Sequence, residues 1–453
     1  MPNIAEMSAG MKSQVITVEM PSDIRRRFIL GENPRFIFPD NLRELKRILR
    51  GAFAVRVLML LIIFLCTPSW SDGFLSSKTY TFMPDDIRYE AGAMQYAKTA
   101  SSIVDPEAFK LAYIRYGDRK GYETNWFTAT PLWYWIVCVT IYITRTNLTV
   151  RLLNIIFACL GIKYLYLLAE LLFDKKTALL ASKLYAFLPY PVTFSCFAYK
   201  DHLIFLGTAY LLYASFLYRY QRRFSKSQIL PVILFTFCCA SMRSGLTFAL
   251  IFMCLLIAFS TYLKRKRVMI SIGVALVLCL LFGRAFIIDS FNSLIYKASV
   301  YQTDRQTFIA ENRGISIAAI SGVRDLYKLP VTFLVAVSMP LKVNLKFLSW
   351  SDLISLPSMA LMPAVAVGAF LDVFLKKHQD ALAKLALLTY YLLCSVTSIS
   401  YARHYYSLLF IPITMCSHYA YHASRSEKSI HVALSVSYSA LLFLYLLYRT
   451  FLK

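Results

Sequence analysis

Apolar residues in this chain come in runs of roughly 15 to 22 positions that recur from Val55 to Leu452, the length of membrane-crossing helices rather than of strands. Three pairs of runs, at 177–196 and 203–219, 229–242 and 245–262, and 382–400 and 405–421, predict helical hairpins. A first crossing is predicted near 52–67 and a last near 430–449. Two other stretches fit a crossing poorly. The run from Pro131 to Ile143 holds only about 13 residues, where a span needs ~20, and the stretch from Pro330 to Leu348 is interrupted by Pro340, Lys342 and Lys346. Both are expected as re-entrant or interfacial helices, which leaves about 11 crossings in an all-α, polytopic integral membrane protein.

The polar positions between the runs set an orientation. Basic clusters fall at Arg25-Arg26-Arg27 through Arg50, Lys175-Lys176, Arg219 to Lys226, Lys264 to Arg267, Lys376-Lys377 and Arg425 to Lys428. Short loops rich in Lys and Arg stay on the cytoplasmic side, so all six are expected inside and each hairpin tip outside. The chain is expected to divide into a basic cytoplasmic N-terminal segment, 1–50, and a multispanning domain, 51–453, with outer-face loops at 69–127 and 289–328. The location expected is the plasma or inner membrane, multi-pass, with a cytoplasmic N-terminus. No signal peptide is read at the start, where about fifty mostly polar residues precede the first run. That segment suits an amphipathic anchor on anionic lipids.

Composition agrees with a bilayer as partner. Of 453 residues, 58% are apolar and only 16% charged, whereas an ordinary soluble domain is about a quarter charged. The balance of 49 Lys+Arg against 25 Asp+Glu gives +24, but no water-facing basic domain fits between the runs, so nucleic acid is not an expected partner. The 10 cysteines all sit in or at the ends of apolar runs without CxxC spacing and read as small buried residues.

The predicted topology gathers the unusual residues on the outer face. The loop at 69–127, about 59 residues, is longer than ordinary connections and implies a function or a small folded element. It holds Asp72, Asp85, Asp86, Glu90, Asp105, Glu107, Asp118 and Glu123. Within it, Pro84-Asp85-Asp86 reads as a helix start, with two acids at the positive end of the dipole. Paired carboxylates also suit general-base work, because mutual repulsion raises one pKa, and they are equally able to hold a divalent cation through oxygen ligands. Three hairpin tips add Tyr199-Lys200-Asp201-His202, Ser241-Met242-Arg243-Ser244-Gly245, and Tyr401-Ala402-Arg403-His404-Tyr405-Tyr406. Arg243 stands in an apolar stretch, and a lone Arg at membrane depth calls for an anionic partner or a polar cavity. Arg403 and His404 suit an anion site where a guanidinium grips phosphate. Trp126, Trp133, Tyr134 and Trp135 suit an acceptor sugar or the interfacial aromatic belt.

Several of these stretches resemble the type C glycosyltransferases, multispanning enzymes that use polyprenyl-phosphate-linked sugars, and within them the protein O-mannosyltransferase-like and bacterial polysaccharide-assembly members. The resemblance is carried by Asp85-Asp86-Ile87-Arg88-Tyr89, by Arg151-Leu152-Leu153-Asn154 through Leu171-Leu172-Phe173-Asp174-Lys175-Lys176, by Ala178 to Pro189, by Ser195 to Asp201, by Leu329-Pro330 to Pro340 and by Tyr401-Ala402-Arg403-His404-Tyr405. It implies that Asp85 or Asp86 is the base or acceptor-orienting carboxylate, that Asp201 is a second acidic position, and that Arg243 and Arg403 bind the donor phosphate, to which the basic tips add Lys200 and His404 as further candidates. Tyr89 and Tyr401 would support them, and Trp126 and Trp133 would meet the acceptor. The second tip departs from the pattern, because Lys200-Asp201-His202 lacks a second carboxylate. This disfavours a divalent cation, and no metal ligands are assigned.

The reaction this implies is transfer of a sugar to a lipid-linked glycan, polysaccharide or protein acceptor at the outer face. A polysaccharide polymerase, relying more on the arginine tips than on the acids, is the nearer alternative. A lipid-linked glycan flippase is the farther one, and it predicts internal repeats and midplane charges.

Overall fold

The computed structural model describes residues 42–66, 84–116, 131–221, 226–263, 327, 329–338, 350–376, 384, 386–392 and 407–451. The secondary structure among them is helical, with no strand. In chain order the helices are α1 (Leu42–Cys66), α2 (Pro84–Thr99), α3 (Pro106–Tyr116), α4 (Pro131–Thr144), α5 (Leu148–Leu172), α6 (Lys175–Phe187), α7 (Pro189–Phe194), α8 (Asp201–Gln221), α9 (Lys226–Met242), α10 (Ser244–Leu263), α11 (Leu329–Ser338), α12 (Trp350–Leu375), α13 (Phe410–His422) and α14 (Arg425–Phe451). Two of them, over Arg43–Leu65 and Leu148–Leu172, are long and apolar enough to cross a membrane by length and composition. Shorter apolar helices cover Leu132–Thr144, Lys226–Met242, Thr247–Ser260 and Ala360–Leu375.

The run at 177–196, expected as one span, is divided. Leu188 is extended (ψ 127°) between α6 and α7, because the ring of Pro189 excludes the helical region for the residue before it. Pro189 also lacks an N–H, so the carbonyl of Tyr185 loses its helical donor. The amide of Tyr190, which Ala186 would otherwise use, goes to Ser358 Oγ at 2.7 Å. Arg56 of α1 meets the need. Fully buried, it donates from Nη1 to Ala186 O at 2.7 Å and to Ala52 O at 3.1 Å, and from Nη2 to Tyr185 O at 3.5 Å. An arginine in an apolar helix is thus held by a carbonyl of its own helix and by two that the break at Pro189 released.

α5 packs along α8 at Gly161. A Cβ there would lie 2.2 and 2.4 Å from Cε1 and Cδ1 of Phe205, whose ring stacks on Tyr185 at 4.5 Å and meets Phe410 at 5.6 Å. With Phe205 pinned between those rings, Gly161→Ala should cost about 1 to 3 kcal/mol by overpacking. A lowered midpoint in thermal unfolding checks this, and an unchanged midpoint contradicts the packing described.

Within the long first loop the helix predicted to start at Pro84 is present, and a second helix follows it. α2 and α3 pack with α4 around Tyr96, Phe109, Tyr113, Trp133 and Tyr134. Phe109 stacks on Trp135 at 4.7 Å, and Tyr134 meets Tyr113 edge-on at 5.0 Å. α4 ends where Arg145 enters the left-handed region (φ 55°), its guanidinium donating to Ala97 O.

At one end of the bundle three of the predicted basic loops meet. Asp174 caps α6 by accepting from the amides of Lys176 and Thr177 at 2.8 and 2.9 Å, and it pairs with His422 at 2.7 Å. Burial raises the Asp174 carboxyl, but the bond from His422 and then those from Thr177 outweigh it and hold the group below the ordinary carboxylate range. Lys376 donates to His422 O at 3.0 Å and pairs with Glu427 at 2.7 Å. Ser424 and Glu427 form a capping box for α14: the Ser424 amide donates to Glu427 Oε2 at 2.6 Å and the Glu427 amide to Ser424 Oγ at 3.3 Å. One turn deeper, Asp372 pairs with Lys384 at 3.0 Å and His418 at 2.7 Å.

The Lys376 bond, and then the Ser424 amide and hydroxyl, hold the Glu427 carboxyl down to about 2 from an ordinary value of 4.5. A depressed carboxylate stabilises the fold above its unfolded pKa and loses that contribution as pH falls through the folded value. The thermal midpoint of the wild type should therefore exceed that of Glu427→Gln at neutral pH, and the gap should close between pH 4.5 and about 2. A gap independent of pH across that window contradicts the assignment.

Candidate functional site

The opposite end of the bundle is built around an irregular turn. After α7 the chain runs through residues 195–200 without regular structure before α8 begins, and Cys196 to Tyr199 are buried. Buried carbonyls outside a helix must find donors, and three side chains supply them. Arg151 Nη1 donates to Cys196 O at 2.8 Å, Asn154 Nδ2 to Phe197 O at 2.5 Å and Tyr199 O at 3.0 Å, and Trp133 Nε1 to Ala198 O at 3.0 Å. Arg151 and Asn154 stand on one face of α5 because three residues separate them.

This turn aims the next residues at the α9–α10 junction. Asp201, in the first turn of α8, accepts from Arg243 Nη2 at 2.6 Å, a charge-assisted bond between side chains 1% and 12% exposed. Lys200 donates to Met242 O at 3.1 Å and so caps the end of α9. His202 is fully buried with Nε2 3.0 Å from Phe194 O. The tips at 199–202 and 241–245, predicted to share a face, are thus tied together twice.

The first loop reaches the same end. Glu90 of α2 pairs with Arg151 Nη2 at 2.5 Å and accepts from Asn147 Nδ2 at 3.2 Å. α2 begins at Pro84, as the sequence predicts, which places Asp85 and Asp86 in its first turn and Asp86 one turn before Glu90. Only the backbone of those two acids is described. Tyr89 is partly buried with its ring 6.2 Å from that of Tyr134.

The structure therefore unites Lys200, Asp201 and Arg243 and places the helix bearing Asp85 and Asp86 against the same turn. It corrects the reading of Trp133, expected against an acceptor: the side chain is fully buried and its indole N–H serves Ala198 O. Arg403, His404, Tyr401 and Trp126 lie outside the described residues, as does most of the loop at 289–328. Arg56 and Glu90 are site or scaffold residues to which the sequence reading gave no role, and Arg151 and Asn154 entered it only through the resemblance. Among the described residues no three His, Cys, Asp or Glu side chains cluster as metal ligands.

Chemically this end offers a guanidinium, paired with a carboxylate and 12% exposed, beside an acid-bearing helix. Compared with protein-family models and with curated proteins, the chain matches none.

Proposed function

We propose that the protein is a multi-pass membrane glycosyltransferase that moves a sugar from a polyprenyl-phosphate donor to a glycan, lipid-linked or protein acceptor at the outer face. The observation that carries this reading is the Arg243–Asp201 pair, packed at the same end of the bundle as the helix that bears Asp85 and Asp86. The donor phosphate would exchange with Asp201 on Arg243, since a guanidinium binds either oxyanion in the same forked geometry. Asp85 or Asp86 would take the proton of the acceptor hydroxyl as its oxygen attacks the anomeric carbon. The bond from that carbon to the phosphate oxygen breaks, its electron pair stays on the phosphate, and Arg243 and Arg403 stabilise the charge. Direct displacement inverts the anomeric centre.

A bilayer setting with about 11 crossings is part of the proposal. Apolar side chains face outward in stripes, Ile229, Ile233 and Phe237 on α9 and Phe248, Phe252 and Phe259 on α10, as lipid contact requires and as a water-facing surface does not. From Arg151 to Leu172, the stretch of α5 between the two polar ends, a helix rises about 32 Å, close to the ~30 Å of a hydrocarbon core.

The experiment is transfer of a radiolabelled sugar from a synthetic polyprenyl-phosphate donor by the protein in liposomes. Wild-type protein should form a glycosylated product. Absence of transfer from every lipid-linked sugar supplied, or full activity in both Asp85→Asn and Asp86→Asn, would sink the reading.

A further inference from the structure

We infer that Arg151 and Glu90 form a latch that positions α2, and with it Asp85 and Asp86, against the turn that presents Asp201, an inference that rests on the proposed transferase reading. One guanidinium reaches both halves of the site: Nη2 holds Glu90 at 2.5 Å while Nη1 holds Cys196 O at 2.8 Å. Arg151 is wholly buried and Glu90 nearly so, and Asn147 gives Glu90 a second bond from the chain just before α5. Asn154, one turn along α5, fixes the remainder of the turn through Phe197 O and Tyr199 O. α2 itself is a poor membrane helix, carrying Asp85, Asp86, Arg88, Glu90 and Lys98 in its 16 residues. Packing against α3 and α4 and the bond from Arg145 to Ala97 O hold its body and C-terminal end, and this latch holds its N-terminal half. At Gly92 the Tyr134 hydroxyl comes within 1.4 Å of where a Cβ would stand, so the Tyr134 side chain of α4 packs directly on the backbone of α2 there. The latch lies one turn from Asp86 and, at Cys196 O, five residues before Asp201, and so sets the distance between those two acids.

Two consequences separate a positioning role from donor capture and from bulk stability. Loss of the latch should lower kcat and leave the donor KM alone, because small displacements of a catalytic group act on the reacting geometry while Arg243 still holds the phosphate. It should also release α2 selectively, as local opening rather than global unfolding. The test is amide hydrogen exchange and steady-state transfer on the full chain in nanodiscs, for Glu90→Gln, Arg151→Met, Arg151→Lys and the Glu90→Gln/Arg151→Met double variant.

The expected result is exchange across residues 84–99 faster by about tenfold or more in Glu90→Gln and Arg151→Met, with α8 and α13 unchanged. kcat should fall by about tenfold or more with KM within about twofold. Arg151→Lys, which keeps the charge, should be intermediate. The double variant should be no worse than the poorer single one, since removing both partners leaves no buried unpaired charge. Unchanged exchange in α2 overturns the latch whatever the activity does. A raised KM with unchanged kcat overturns it too, by moving Arg151 into donor binding. If wild-type protein transfers no sugar while α2 is released as described, the latch stands and the transferase reading fails.

Discussion

Arg243→Met should lose both transfer and stability. The Asp201 carboxylate is almost wholly enclosed and pairs with Arg243 at 2.6 Å. Removing one member of a buried ion pair leaves an uncompensated charge and costs about 3 to 5 kcal/mol. Removing a cation that stabilises charge on the leaving phosphate should also reduce transfer by roughly 10² to 10³. The two effects come apart in companions. Asp201→Asn/Arg243→Met should recover most of the lost thermal stability, because neither charge is left alone, yet recover no transfer. Arg243→Lys should keep the fold and lose part of the rate, since a lysine neutralises phosphate without the forked pair of donors. Thermal unfolding and the liposome transfer assay read both quantities. An Arg243→Met protein as stable and as fast as wild type contradicts the pair and its role together.

The second large effect is expected at the start of α2. General-base groups contribute about 10² to 10⁴ in rate, so at least one of Asp85→Asn and Asp86→Asn should fall in that range. Their stability should change little, since a carboxylate in a helix's first turn contributes about 0.3 to 1 kcal/mol through the helix dipole. Asparagine keeps the size and loses the proton acceptor, so a rate loss without a midpoint loss marks chemistry rather than folding. If both variants stay active while Arg243→Met is dead, the polymerase reading, which leans on arginines, replaces the acid-base one.

The sequence reads well wherever a rule acts locally. Pro84-Asp85-Asp86 marks the start of α2 because proline and acids suit a first turn. The hairpin tips 199–202 and 241–245 follow from interrupted apolar runs. The loops at Lys175, Lys376 and Arg425, expected on one side from their charge, meet through Asp174, His422, Lys376 and Glu427. The rule that an arginine at membrane depth requires an anionic partner or a polar cavity matches Arg243, whose partner is Asp201.

The same rule applied to Arg56 and Arg151 points to two more buried guanidiniums. Their partners, however, are not sequence-local. Arg151 meets Glu90 in a separate loop, and Arg56 meets carbonyls whose need for a donor arises only because Pro189 interrupts α6. Trp133 failed for a related reason. An aromatic residue near a polar tip suits a sugar or a buried strut equally well, and only the bond from the Trp133 indole to the Ala198 carbonyl, distant in sequence, decides between them.

The most direct measurement of the central claim is a sided one. Single cysteines at Ser102 and Ser426, both exposed and at the two ends of the bundle in the topology proposed, report orientation in sealed vesicles through an impermeant thiol reagent. Donor and labelled product are then followed on each side. The account predicts that product forms on the face where Cys at position 102 is labelled, and that it disappears in Arg243→Met. Product on the face of position 426, or movement of intact donor across the bilayer with no sugar transferred, would contradict it.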